Sequence, residues 1–203
     1  MTYQEQKQRS DEGRLFLPAD ERIIQEQNKA VRDLWQLNQI PPFEQEKREE
    51  MYKKVFARIG EGARLESPVH ANWGGKNVYI GKNFYSNFNL TLVDDGKIFI
   101  GDNCMFAPNV TIATAGHPVD PDLRRQGLQY NADVHIGDNV WLGAGVLVMP
   151  GVTIGSNTVI GAGSVVTRDI PSGVVAVGNP CRVLRQVGQR DKEYYFKDRK
   201  VDL

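Results

Sequence analysis

IGDNVWLGAGVLVMPGVTIGSNTVIGAGSVV, residues 136–166, decides the fold of this chain. Every sixth residue from 136 is aliphatic: Ile136, Leu142, Val148, Ile154, Ile160 and Val166. Glycine follows at 137, 143, 155 and 161. Four residues after each of the first five aliphatics stand Val140, Val146, Val152, Thr158 and Ser164, all small or β-branched. A strand repeats at two and a helix at 3.6, so neither produces a six-residue rule. A short strand followed by a sharp turn does. The glycine or small residue lets the chain turn with positive φ or approach its neighbour closely. Stacked coils then satisfy one another's backbone groups, strand over strand. Each aliphatic joins a narrow interior, where burial is worth about 1.5–3 kcal/mol. The expected fold is mainly β, a parallel β-helix of hexapeptide repeats.

Outward from that tract the rule recurs. Ile100, Phe106 and Ile112 repeat it, with Gly101 after the first, and Ile80 with Gly81 starts a weaker run. From Ile112 to Ile136 is 24 residues, four periods of six. The phase therefore survives across residues 113–135, which break the pattern and are expected to protrude as a loop. Residues 1–60 obey another period. Ile23, Ile24, Ala30, Val31, Leu34 and Leu37 approximate a helical stripe, ended by Pro41 and Pro42. Met51, Val55, Phe56 and Ile59 form a second stripe, with Gly60 placed as a C-terminal cap. The spacing predicts two helices here and a short one before Gly13. The expected organisation is a helical segment over 1–60, a β-helix over 61–185 with its loop, and a tail over 186–203.

Composition narrows the function. Across 203 residues, 25 Lys and Arg balance 25 Asp and Glu. A net charge of zero argues against a general nucleic-acid binder. No apolar run is long enough for a membrane span, and the polar N-terminus lacks a signal-peptide core. The two cysteines, Cys104 and Cys181, make neither a disulfide framework nor a CxxC metal pair. A cytoplasmic protein without a metal is the expectation.

Three histidines are available for chemistry. His70 is placed before the repeats, and His135 sits beside Ile136 in a strand, facing solvent or packing. His117 lies in the non-repetitive stretch, between Gly116 and Pro118. Ser86, Ser156 and Ser164 have no histidine spacing that suggests a triad, and Cys104 reads as a buried repeat residue.

Several stretches resemble the galactoside O-acetyltransferases, a branch of the hexapeptide-repeat acyltransferases. They are NFYSNFNLTLVDDGKIFIGDN (83–103), TAGHPVDPDLRRQG (114–127), the tract 136–155, GAGSVVTRDIP (161–171), GNPCRVLR (178–185) and RDKEYYFKDRKV (190–201). The maltose O-acetyltransferases are sister enzymes that usually lack such a tail. The resemblance implies left-handed coils, acetyl-CoA as co-substrate, and a homotrimer with active sites between neighbouring chains. It implies acetyl transfer to a sugar hydroxyl, the primary hydroxyl of a galactoside, with maltose, glucose or a xenobiotic as alternative acceptors.

The same resemblance assigns residues. His117 matches the general base, a role that suits histidine because its ordinary pKa lies near working pH. Asn87 and Asp95 match acceptor-binding positions. Asn72 replaces a family serine, Gln129 replaces an apolar contact, and Asp20 is the candidate for an acid displaced from its usual place after Leu15-Phe16. For the donor the matches are Trp141, Ala144, Ala162, Thr167, Arg168, Arg182 and Arg185. The zinc carbonic anhydrases share the fold but need a His-x4-His pair, and the fifth residue after His117 is Asp122. A non-catalytic scaffold would have no reason to keep His117, Asn87 and Asp95 together.

Overall fold

The computed structural model describes residues 1–203. Three helices lead the chain. α1 (Tyr3–Asp11) starts in a capping box between Thr2 and Glu5. α2 (Glu21–Gln39) starts on Asp20, whose carboxylate accepts the Arg22 N–H at 2.9 Å. It buries Ile23, Ala30, Leu34 and Leu37. α3 (Gln45–Val55) carries Arg48, which is almost wholly buried. Arg48 donates to the carbonyls of Ile40 (3.0 Å) and Leu65 (2.7 Å), tying the end of α2 to the first coil.

The rest is a left-handed parallel β-helix of about 6 turns. Its first face stacks Arg58–Ile59, Val78–Ile80, Ile98–Ile100, Val134–Ile136 and Thr153–Ile154. The second stacks Arg64–Leu65, Tyr85–Ser86, Met105–Phe106, Trp141–Leu142, Val159–Ile160 and Val174–Val177, and Arg182–Gln186 adds antiparallel at its end. The third stacks Val69–Ala71, Leu90–Val93, Thr111–Ala113, Leu147–Val148 and Val165–Val166. The chain visits the faces in that order, so each coil has three corners. All six aliphatics of the 136–166 tract are buried, as are Val140, Val146, Val152, Thr158 and Ser164.

Two sequence expectations need correction. Gly60 does not cap a helix: α3 ends earlier, at the Phe56 cap, and the first coil already starts at Arg58. His70 does not precede the repeats but lies within them, paired with Thr91 on the third face. The repeat glycines do not supply the positive φ. Asparagine does, at 83, 103, 139 and 157 on the first corner and 89 and 109 on the second, together with glycines elsewhere in the coils, Gly62 and Gly173 on the first corner and Gly145 and Gly163 on the second. These asparagines bond coil to coil, as Asn83 with Asn103 and Asn139 with Asn157, both at 3.0 Å. The repeat glycines instead allow close stacking, since a Cβ on Gly143 would lie 2.5 Å from the Ala162 nitrogen. His135 is exposed on the first face, its ring stacked on Phe99 at 4.7 Å.

Candidate active site

The third corner carries the irregular segments. In the coil after Thr111–Ala113 it expands into the long loop expected between residues 113 and 135. The loop is a hairpin in which Ala115–Gly116 pairs antiparallel with Tyr130–Asn131, and α4 (Pro121–Arg125) forms its tip. Asp120 caps α4 by accepting the N–H groups of Asp122 (3.0 Å) and Leu123 (2.9 Å).

His117 lies at the start of that tip and is exposed. Its Nδ1 is 2.8 Å from the carbonyl oxygen of Leu128. A carbonyl only accepts, so Nδ1 carries the proton and donates it. In the neutral ring Nε2 is then left with its lone pair free. That is the tautomer a general base needs.

Asp95 sits in the same corner, one coil below. Its Oδ2 accepts from Asn72 Nδ2 at 2.7 Å and its Oδ1 accepts from Gln129 Nε2 at 3.1 Å. Gln129 adjoins Leu128, so one chain links Asp95 to His117 through two neighbouring residues. Asn131 extends the network by donating to Ser10 Oγ (2.9 Å) and to the Asp95 carbonyl (3.0 Å). Gln27 of α2 donates to the Asn72 carbonyl at 3.0 Å. A cavity of about 400 Å³ opens between α1, α2 and this corner, with Asp95, Asn131, Trp73 and Phe16 in its walls.

Asn72, Asp95, Gln129 and His117 are therefore brought to one corner. Asp20 is not: it serves as the α2 cap, beside Arg22 and outside this network. Asn87 lies on the second corner, across the third face, and accepts its own neighbour's N–H from Phe88 at 2.8 Å.

The residues that the resemblance matches to the donor divide the same way. Ala144 and Ala162 are exposed on the second corner, in successive coils above Asn87. Trp141 is exposed on the adjoining second face, between Met105 and Val159. Arg182 and Arg185 lie on the antiparallel strand that ends that face. Thr167 and Arg168 belong instead to the third corner, in a later coil than His117. The small residues at 144 and 162 leave an open shelf, and Arg182 has no carboxylate partner, so both fit a long anionic donor. Arg185 is engaged: Asp191 takes it bidentately at 2.7 and 2.7 Å. That pairing holds Asp191 at about 2, below the usual carboxylate range.

Sequence reasoning missed Asp94, Asn131, Ser10 and Gln27. Asp94 is fully buried, and burial pushes its carboxyl up to about 6. Its oxygens accept the N–H groups of Trp73 (2.6 Å) and Gly75 (3.0 Å). The signal was an acid at a repeat position otherwise filled by a core residue. Asn131 lies in the loop, where no period operates, and Ser10 and Gln27 are polar residues on helices, where the period marks apolar positions only.

Comparison with known proteins agrees with this fold. Residues 133–168 match the family model described as bacterial transferase hexapeptide (six repeats). Residues 12–60 match the maltose acetyltransferase hexapeptide capping motif. The galactoside O-acetyltransferase of Lactococcus lactis is 51% identical over 189 residues, covering 93% of this chain and 91% of its own. A galactoside acetyltransferase solved in complex with coenzyme A superposes with a TM-score of 0.93 at 48% identity, covering 98% of each chain. A maltose O-acetyltransferase from Clostridium difficile 630 superposes at 0.88 with 43% identity, covering 91% of this chain and 98% of its own. A six-residue stack and a helical cap thus occur in a chain that shares about half of its sequence with these relatives over nearly its whole length, and the chain belongs to the hexapeptide-repeat sugar O-acetyltransferases, in the family of the galactoside O-acetyltransferases.

Proposed function

We propose that this enzyme moves the acetyl group of acetyl-CoA to the primary hydroxyl of a galactoside, with His117 as general base. The observation that carries the reading is the His117–Leu128 hydrogen bond, which leaves Nε2 as the free acceptor. His117 takes the proton of the sugar hydroxyl as its oxygen bonds to the acetyl carbon. The carbon–sulfur bond breaks, and the imidazolium returns the proton to the departing thiolate. No covalent enzyme intermediate is needed. Asp95, with Asn72 and Gln129 held against it, orients the sugar, and acetyl-CoA supplies the activated carbonyl.

The division of residues between two corners supports a homotrimer with shared grooves. The second and third corners lie on opposite edges of the third face. A neighbouring copy can bring its second corner, with Asn87, Ala144 and Ala162, against the corner that holds Asp95 and His117. Exposed apolar side chains on the faces between support contact there: Phe88, Met105, Trp141, Leu147 and Met149. No helix is long and apolar enough to cross a membrane. Both cysteines are unpaired and buried, which fits action in the cytoplasm.

An acetyl-CoA assay across galactosides, maltose, glucose and chloramphenicol tests the acceptor. The galactoside should give the highest kcat/KM. Preference for maltose or glucose would move the enzyme to the sister specificity, and preference for chloramphenicol would make it a xenobiotic acetyltransferase.

A further inference from the structure

Asp94 stands beside the acceptor residue Asp95 but turns the other way, into the core. The turn over residues 72–77 closes above it. Its two carboxylate oxygens take separate donors from that turn, Trp73 N–H on Oδ1 and Gly75 N–H on Oδ2. Its main-chain carbonyl takes a third, from Asn77 Nδ2 at 2.8 Å. The turn has little other freedom: a Cβ on Gly75, whose φ is +90°, would meet Phe56 at 2.9 Å. Asn72 is the residue immediately before the first anchored N–H, and its amide reaches Asp95 at 2.7 Å. Adjacent acids therefore grip one turn at two places, Asp94 from inside and Asp95 from outside.

We infer that Asp94 is a positioning residue for the acceptor: by anchoring the 72–77 turn it holds Asn72 against Asp95. The chemistry requires a carboxylate. Two N–H groups point at two different oxygens, and an asparagine offers one oxygen and one amide whose protons oppose the second N–H. An unmade bond of this kind inside the core is costly, so the turn moves instead. A buried ion at neutral pH is itself a burden, since burial raises this carboxyl well above its ordinary range. Its retention beside the site is explained by what it holds in place.

The inference rests on Asn72 and Asp95 binding the acceptor, and the test separates the two claims. Steady-state kinetics are measured on the full-length enzyme for Asn72→Ala, Asp94→Asn and the double variant, varying sugar and acetyl-CoA in turn. Asn72→Ala should raise the KM for sugar about tenfold. If it does not, the acceptor lies elsewhere and the role of Asp94 falls with that reading. Asp94→Asn should raise the sugar KM similarly, leave the acetyl-CoA KM unchanged, and add little on top of Asn72→Ala. Effects that multiply in the double variant, or an equal rise in both KM values, overturn the positioning role. A residue that only supports the fold would lower Tm without that split. Should Asp94→Asn fail to fold, Asn77→Ala removes the third tie to the same turn and must show the same coupling to Asn72→Ala.

Discussion

His117 Nδ1 and the Leu128 carbonyl oxygen lie 2.8 Å apart across the neck of the loop hairpin. The bond selects the imidazole tautomer and aims Nε2 away from the hairpin. His117→Ala should lower kcat by about 10²–10⁴-fold, the usual worth of general-base assistance. Because His117 is exposed, Tm and coenzyme binding should hold. A variant keeping more than about a third of wild-type turnover would place the base elsewhere.

Donor and acceptor should separate kinetically. Asp95→Ala removes the carboxylate shared by Asn72 and Gln129 and should raise the sugar KM. Arg182→Ala, at the end of the second face, should raise the acetyl-CoA KM instead. Exchanged effects would reverse the assignment of the two ends of the groove.

Ile154 is fully buried and pairs with Ile136 in the coil below. Ile154→Asp places a carboxylate with no partner inside the stack, a cost of several kcal/mol. The expected result is insoluble or unfolded protein. A soluble variant with native strand content by circular dichroism would show that the residue faces outward.

Asp94 makes stability depend on pH. Its carboxyl is pushed to about 6 in the folded chain, above its ordinary value. Between about pH 4 and pH 6 the unfolded chain ionises at this residue while the folded chain stays protonated, so stability falls as pH rises. The contribution is about 3 kcal/mol, present in acid and lost above about pH 6. Asp94→Asn removes it. The stability difference between wild type and variant should therefore shift toward the variant from pH 4 to pH 7. A difference that stays flat over that range would contradict the burial cost.

Much of this is legible in the sequence. The six-residue rule from Ile136 to Val166 works because every coil repeats one environment, and the same arithmetic exposed the 113–135 loop as an interruption. The period located the strands but left the role of each glycine open between positive φ and close approach. Glycine tolerates both positive φ and close approach, so its presence alone does not separate the two: Gly143 and Gly161 serve close approach, while Gly145, Gly163 and the asparagines at 83, 103, 139 and 157 take the positive φ. Site residues were legible only through family motifs. Their departures were not: Gln129 and Asn72 turned out to clamp Asp95, and Asp20 to cap α2. Partners brought together from segments that far apart leave no periodic trace.

The proposed site is built from two chains, with His117 from one and the donor shelf from its neighbour. Purified His117→Ala and Ala144→Trp proteins, the second with the shelf blocked, should each be nearly inactive. Unfolded together, refolded as mixed trimers and assayed for acetyl transfer, they should recover about a quarter of wild-type activity, since roughly one site in four then draws its base from a chain with His117 intact and its shelf from a chain with Ala144 intact. Mixed trimers no more active than the separate variants would contradict the account, because each site would then take both residues from a single chain.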